Sequence, residues 1–456
     1  MPSFFHGIDL ATRALRGFQR AMDVTGHNIS NVNTRGYSRQ TVEFSTTDPL
    51  NYYQMGWRSL GNGAQMDAVT RVRDGFLDQR MWDAQGGDGK NRTMADGLGS
   101  ILGTFNEPND GSISKEMGNF FNSWSALASN PNESAYRTQT RLAGQRLATS
   151  IRTAHRDLSS QQENVTAEIN STVQRINELG QNLASLNRSI REASVAGTEP
   201  SDLLDQRDNM IEELSNLTNV TVSRQQDGTT SVFISNFTLV DGIGSHNMAN
   251  NVDLTAGTVG GTQIRTGKLA GLLGNGSALD KQLTNLDTLA NTLRTEINNL
   301  HKSGINQNAT TNINFFGDVT TGPQTGAIDF DISAEVQADV RNIAIGVTGK
   351  DGDTGLALQM SQLRSLKLAG LGNRSVLDYH KDNISNIGSE HAYFLNAAET
   401  NAAIMDQVTQ QRESVSGVSL DDEMANMLKY QRSYQAAARL ISVYDEVAQD
   451  LINLIR

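Results

Sequence analysis

The sequence predicts a mainly α-helical protein with a β insertion: paired, coiled-coil-like terminal helices, an elongated helical-bundle rod domain and a small, central β-rich domain. Three patterns indicate this fold. Apolar residues recur at heptad spacing in the first 35 residues and again in residues 165–193, as in helices that pack on other helices. In residues 220–239 apolar and polar residues alternate instead, which is typical of a β-hairpin.

The N-terminal segment, residues 1–36, carries the first heptad. The predicted seam residues are spaced alternately by three and four positions, and all but one of them are apolar. They are Ile8, Ala11, Leu15, Phe18, Met22, Thr25, Ile29 and Val32. All except Thr25 are predicted assembly-interface residues.

The C-terminal segment, residues 418–456, has a similar spacing of four and three. The predicted interface residues in this segment are Leu420, Met424, Met427, Leu428, Tyr434, Ala438, Ile441, Leu451 and Ile455. Residues 1–40 hold five Arg and two Asp, a net charge of +3, whereas residues 418–456 hold four basic and six acidic residues, a net charge of −2. We therefore predict that the two ends pack together and then against neighbouring subunits.

Each end alone buries too little apolar surface to offset the conformational entropy that it loses on folding. Burying seven apolar residues yields on the order of 15 kcal/mol, while fixing about 30 backbone units costs roughly 1–2 kcal/mol each. We therefore expect both ends to be disordered in the monomer and to fold with partners. A head-to-tail contact of this kind that does not close would produce a helical tube.

The middle of the chain is predicted to form two further domains. Residues 37–219 and 356–417 would form the helical rod domain, together with a helix at 277–303, and residues 220–276 and 304–355 would form the β-rich outer domain. A long helix is expected from Glu133 to about Ala196. Glycine-rich residues 271–276 are expected to form a turn, and residues 328–332 and 343–347 are expected to form strands.

Composition excludes several classes of function. The 456-residue chain has no cysteine, which excludes disulfides and thiolate metal sites, and its net charge of −12 would repel nucleic acid. No apolar run is long enough to span a membrane, and the first residues do not resemble a cleaved signal peptide. That leaves cytoplasmic residence or a dedicated export route. We expect no nucleic-acid partner and no membrane insertion.

No pattern points to catalysis, a cofactor or a metal. The seven histidines lack ligand spacing, and residues 271–276 match no phosphate-binding loop. Residues 351–355 begin like a calcium loop, but the twelfth position is Gln362 rather than an acid. We expect no enzyme activity, no cofactor and no metal site.

Two long motifs carry a resemblance to bacterial flagellar axial proteins. They are DVTGHNISNVNTRGYSRQ at residues 23–40 and SGVSLDDEMANMLKYQRSYQAAAR at residues 416–439. The segment DLLDQRD at residues 202–208 resembles one branch of these proteins, the hook-associated protein 1 family. The signature residues singled out in the first motif are Asn28, Asn31, Thr34, Gly36, Tyr37, Arg39 and Gln40. Family members commonly have proline where Arg35 stands.

The resemblance implies a structural subunit at the hook–filament junction of the flagellum. It would lie outside the cell, exported without a cleaved signal peptide through the flagellar type III apparatus, with its paired ends forming an inner tube. Its partners would be its own copies, neighbouring hook and junction or filament proteins, and an export chaperone on the C-terminal helix. Two alternatives stay open: another axial subunit of hook, rod or filament type, or a coiled-coil adhesin or binding module.

Overall fold

The structure is a computed structural model that describes residues 4–53, 57–107, 109–197, 199–317, 326–348, 350 and 352–455. The helices are α1 Phe4–Ser30, α2 Gly75–Phe105, α3 Ile113–Ser129, α4 Ser134–Val195, α5 Ser201–Leu217, α6 Gly267–Ser303, α7 Ala334–Ala338, α8 Gly355–Gln362, α9 Val376–Ser416 and α10 Leu420–Ile455. The strands are β1 Gln40–Thr46, β2 Leu50–Tyr53, β3 Trp57–Leu60, β4 Ala64–Arg71, β5 Thr221–Arg224, β6 Thr230–Ile234, β7 Phe237–Asp241, β8 Gly244–Ser245, β9 Val252–Asp253, β10 Thr258–Val259 and β11 Thr262–Gln263. Long helices at both ends and small sheets between them confirm the predicted fold class.

The chain divides into two compact units. The first unit comprises the chain up to Gly86, Arg175–Met248 and the chain from Asn401, and the second comprises Gly87–Gln174 and Ala249–Thr400. The helices α2, α4 and α9 each contribute residues to both units. The division into three domains made from the sequence remains a prediction.

In the first unit, a long hairpin follows α1. Strands β1 and β4 pair antiparallel from Gln40–Arg71 to Thr46–Ala64, with a bulge after Glu43, and β2 pairs with β3. Strands β5 to β8 form a separate antiparallel sheet.

That four-stranded sheet packs on the second half of α4. The Leu239 side chain lies directly against Gly180 of α4: a Cβ atom added to Gly180 would be 2.9 Å from the Leu239 side chain. The buried Asn187 amide donates to the carbonyls of Thr230 and Gly242 at 2.7 and 2.6 Å. The alternating pattern that predicted a hairpin therefore corresponds to real strands.

The second unit has an aromatic core. The rings of Phe120 and Phe315 each lie 5.0–6.3 Å, centre to centre, from one another and from the rings of Trp124 and Phe316. His301 is buried beside them, where its Nδ1 lies 2.6 Å from the Ile313 carbonyl and its Nε2 accepts from the Ala344 amide at 3.0 Å. Burial lowers the pKa of His301 to about 4, so the ring stays neutral and can serve both partners.

Two local predictions in this unit are wrong. Residues 271–276 lie inside α6 rather than in a turn. The glycines in this segment have no side chain, which allows α2 to pack closely against α6. A Cβ on Gly271 would lie 2.8 Å from the Lys90 carbonyl, and one on Gly274 would lie 2.4 Å from the Met94 sulfur. Residues 328–332 and 343–347 form only isolated bridges, Phe316 with Ile332 and Ile305 with Gly346.

Candidate assembly site at the terminal helices

The terminal helices α1 and α10 pack on each other through small residues of α1. Ala11 and Ala21 are fully buried, and a Cβ on Gly7 would lie 2.4 Å from the Tyr444 ring. Such small residues let two helices approach closely, so the Tyr444 ring of α10 can lie directly against the backbone of α1.

An adjacent side of α1 packs on the β1–β4 hairpin. The rings of Phe18 and Phe44 are 5.8 Å apart, and Leu10 lies against Gly63. Of the residues predicted for the N-terminal seam, Ala11 and Thr25 are buried, and the others are half-buried: Ile8, Leu15, Phe18, Met22, Ile29 and Val32. The sequence pattern did not reveal that α1 has two covered faces.

The buried face of α10 is displaced from the predicted seam. The residues that are buried or half-buried on this face follow a spacing of four and three: Glu423, Met427, Tyr430, Tyr434, Ala437, Ile441, Tyr444 and Ala448. Predicted interface residues Met427, Tyr434 and Ile441 belong to it, and Ala438 is half-buried next to it. Leu420, Met424 and Leu428 are instead 47, 58 and 55% exposed. The side chains of Leu451 and Ile455 lie outside the described residues.

Asn28 joins three segments of the chain. Its buried Nδ2 donates to the Gln40 carbonyl at 2.9 Å and to Glu423 Oε2 at 3.1 Å. Its Oδ1 accepts from the Gln40 amide at 3.0 Å and from the Tyr37 hydroxyl at 2.7 Å. All four hydrogen-bonding positions of the side-chain amide are therefore used, and they connect α1, the loop that follows it and the first turn of α10.

The other signature residues shape that loop, residues 31–39. Asn31 caps α1 by donating to the His27 carbonyl at 3.0 Å and accepts from Thr34 at 3.1 Å. Gly36 has a φ of +77°, and a Cβ there would lie 1.9 Å from the Asn209 side chain. The loop therefore needs glycine at this position both for its conformation and for its packing on α5.

Two more contacts connect the loop to its surroundings. The Arg39 amide donates to the Ser416 carbonyl, at the end of α9, at 2.9 Å. Burial raises the pKa of Tyr37, and the nearby charges of Asp202, Asp205 and Glu423 add to that rise. The phenol therefore stays protonated and can donate to Asn28.

A buried cluster of charges fixes the loop to α5. Asp205 accepts from the Ser38 amide at 3.0 Å, from the Ser38 hydroxyl at 2.7 Å and from Arg71 at 2.7 Å. Gln40 adds a half-buried hydrogen bond by donating to Asp202 at 3.2 Å. The DLLDQRD segment thus lies directly against the N-terminal signature, although the two motifs are far apart in sequence.

Asp208 lies in the same cluster. It is 3.1 Å from Arg71, 3.5 Å from Arg73 and 2.8 Å from Arg207. Burial alone would raise the pKa of Asp208, but these cations, Arg73 first, hold it below its usual range. Arg73 also binds Asp78 at 2.8 Å. The sequence analysis did not identify Arg71 and Arg73 as site residues. Their spacing, two arginines close together at the end of a predicted extended segment, was the feature that could have pointed to a charged cluster.

Arg35, at the position where proline is common, points outward. Its side chain is 92% exposed, with one nitrogen 3.8 Å from Glu212, while Arg412 holds Glu212 at 2.9 Å. The loop keeps its shape through Asn28, Asn31 and Gly36, so it does not depend on the ring that proline would supply.

The calcium-like segment has a structural explanation. The Asp353 carboxylate accepts from the amides of Val347, Thr348 and Gly355 and from the Thr348 hydroxyl. Its oxygens are therefore committed to the loop itself. Among the described residues, no group of three or more His, Asp or Glu is placed to hold a metal ion, and no helix there is long and apolar enough to cross a bilayer.

The fold and this site define a flagellar axial class of protein, whose terminal helices pair. The model of the Flagella basal body rod protein family matches residues 8–37, and that of the Flagellar basal body rod FlgEFG protein C-terminal family matches residues 409–454. The model of the Flagellar hook-associated protein FlgK helical domain matches residues 98–316.

The relatives are more specific. The chain is 30% identical to Flagellar hook-associated protein 1 of Bacillus subtilis, covering 99% of both chains, and 26% identical to that of Escherichia coli, covering 98% of this chain and 99% of the relative. The solved flagellar hook junction protein FlgK from Burkholderia pseudomallei has the same fold, with a TM-score of 0.64 at 17% identity, covering 74% of this chain and all of that one. The chain belongs to the flagellar hook-associated protein 1 family, which confirms the resemblance predicted from the motifs.

Proposed function

We propose that this protein is a structural subunit of the bacterial flagellum that forms the junction between hook and filament. The observation that carries the proposal is the α1–α10 pair: the signature network closes one side of it, and apolar side chains of α10 stay exposed on other sides. A helix with such a surface is stabilised by packing against further subunits.

The family membership supports a flagellar location and assembly with other flagellar components. We extend this to a site outside the cell, reached without a cleaved signal peptide, with neighbouring hook and junction or filament proteins as partners. The chain acts without catalysis, cofactor or metal. Its terminal helices line an inner tube, and the three predicted domains form successive layers around that tube.

An export chaperone on the C-terminal helix is part of the same proposal. Leu420, Met424 and Leu428 are exposed in the single chain, and exposed apolar rows invite aggregation before assembly. A chaperone that covers them would solve this problem. The matching test is co-purification of the unassembled chain with the chaperone, which Leu428→Asp should weaken.

The main experiment replaces the chain in a flagellated strain that lacks its own copy. Leu428→Asp puts a charge on a side chain that is 55% exposed in the single chain. We expect the purified variant to fold normally, because nothing internal is disturbed, and swimming to be lost. Ile29→Asp, in α1, should also abolish incorporation.

The control is Lys429→Asp, the adjacent exposed residue, which changes charge but removes no apolar surface. We expect this variant to swim. Near-normal motility of the Leu428→Asp strain, with the chain found in isolated flagella, would count against assembly through α10.

A further inference from the structure

The exposed apolar residues of α10 form two separate stripes. The first stripe consists of Leu420, Met424 and Leu428, and the second of Leu440, Val443 and Val447. All six are between 43 and 58% exposed. Polar residues such as Gln431 and Gln435 separate the two stripes along the helix.

The stripes lie on opposite flanks of the helix. At about 100° per residue, the first stripe is centred roughly 90–100° to one side of the face that packs on α1. The second stripe is centred roughly 90–100° to the other side. One neighbouring helix therefore cannot cover both stripes.

We infer that α10 contacts two neighbouring copies of this chain, with its first stripe against the second stripe of the next copy. This rests on the proposed function and specifies the partner of each flank. Corresponding stripe residues are 20, 19 and 19 positions apart, so parallel copies are displaced along the helix axis by about 29 Å, at 1.5 Å per residue. A contact between unlike surfaces with such a rise does not close on itself.

Exposed charges agree with the same displacement. Asp421 and Arg439 are 18 positions apart, as are Arg432 and Asp450, and all four side chains are exposed. Each lies beside a stripe, on the side turned away from α1. The displacement that joins the stripes therefore brings Asp421 to Arg439 of the next copy, and Arg432 to Asp450.

These four residues are free to make such pairs. Within the part of the chain that the structure describes, none of them has an ion pair closer than 4 Å. The charge complementarity and the stripe spacing are independent features of α10, and both specify a second copy as the occupant.

Cysteine cross-linking tests the arrangement, because the chain has no cysteine of its own. Flagella would be isolated from strains that carry Met424→Cys, Val443→Cys or both, and treated with an oxidant or a short bismaleimide. The double variant should give a ladder of multimers, and either single variant should stay monomeric. Asp406→Cys with Val443→Cys, which places the first thiol on an exposed position of α9, is the control and should give no ladder.

Two results would overturn the inference: dimers in a single variant, which mean like surfaces meet, or no ladder in a double variant that is present in the flagella. Absence of the unaltered chain from isolated flagella would instead refute the proposed function itself.

Charge reversal gives a second test that leaves the apolar stripes intact. Asp421→Arg and Arg439→Asp should each lower incorporation by roughly two- to fivefold, the range for an exposed ion pair, and the double reversal should restore it. Asp422→Arg, from the same turn but on another side of the helix, should not be rescued by Arg439→Asp. A double reversal no better than the worse single variant would refute the proposed register.

Discussion

Replacing Asp205 by Asn should release the signature loop from α5. The carboxylate is buried and accepts from the Ser38 amide, the Ser38 hydroxyl and Arg71, all within 3.0 Å. Asparagine keeps the shape but removes the charge and turns an NH₂ group toward donors. Breaking a buried charge pair by changing one partner costs about 3–5 kcal/mol.

Amide hydrogen exchange, resolved by segment, measures that loss. A cost of about 3–5 kcal/mol, at 1.4 kcal/mol per tenfold change, means two to more than three orders of magnitude less protection in α5 and in residues 36–40. Peptides from α3, in the second unit, provide the internal reference and should not change.

Asp202→Asn is the matched control. Its carboxylate lies one turn earlier on the same helix, is 63% exposed and pairs with Gln40 at 3.2 Å and with His27 at 3.9 Å. Exposed pairs contribute about 0–1 kcal/mol, so protection should fall by less than tenfold. If Asp205→Asn changed protection no more than Asp202→Asn, the buried cluster would not be what holds the loop.

Three further predictions concern single residues. Asn28→Asp should expose α10 to exchange, because a carboxylate cannot donate to Glu423 and repels it, and adding Glu423→Gln should recover part of the protection. Gly36→Ala should lower the free energy of unfolding by more than Gly197→Ala does. Both glycines have a positive φ (+77° and +78°), but of the two only Gly36 faces a side chain, that of Asn209. Equal melting temperatures of the two variants would refute this. The free energy of unfolding of the second unit should fall by up to about 3 kcal/mol as pH falls from about 6.5 to 4. In this range the His301 side chain is protonated in the unfolded chain but stays neutral in the folded one, where its pKa is lowered to about 4. His301→Gln should flatten that dependence in pH-resolved denaturation, and His246→Gln, at an exposed position, should leave it unchanged.

Hydrophobic period was a reliable guide where a helix has one covered face. The helix predicted from Glu133 to about Ala196 is observed as Ser134–Val195. The period could not identify α6 through residues 271–276, because glycine there reflects the approach of α2 rather than a turn. Local propensity contains no information about such a neighbour.

The signature cluster shows a second limit. Asp205 and Arg71 are 134 positions apart, so no local pattern joins them, and the motif resemblance identified their segments without indicating that they touch. Asn28 was singled out by motif, yet its role in binding Gln40, Tyr37 and Glu423 together became visible only in the structure.

The displaced seam of α10 follows from the same physics. A search for apolar residues selects Leu420, Met424 and Leu428, the most hydrophobic positions of the first turns, but α1 presents alanine, glycine and the polar Asn28. The face that fits α1 therefore contains Glu423, Tyr430 and Ala437, which complement a narrow and partly polar partner. Leu420, Met424 and Leu428 face outward, where the arrangement inferred above places the complementary surface of another copy. That arrangement predicts a division of roles along α10: the strongly hydrophobic side chains make the contacts between subunits, and smaller or more polar side chains make the contacts within the subunit.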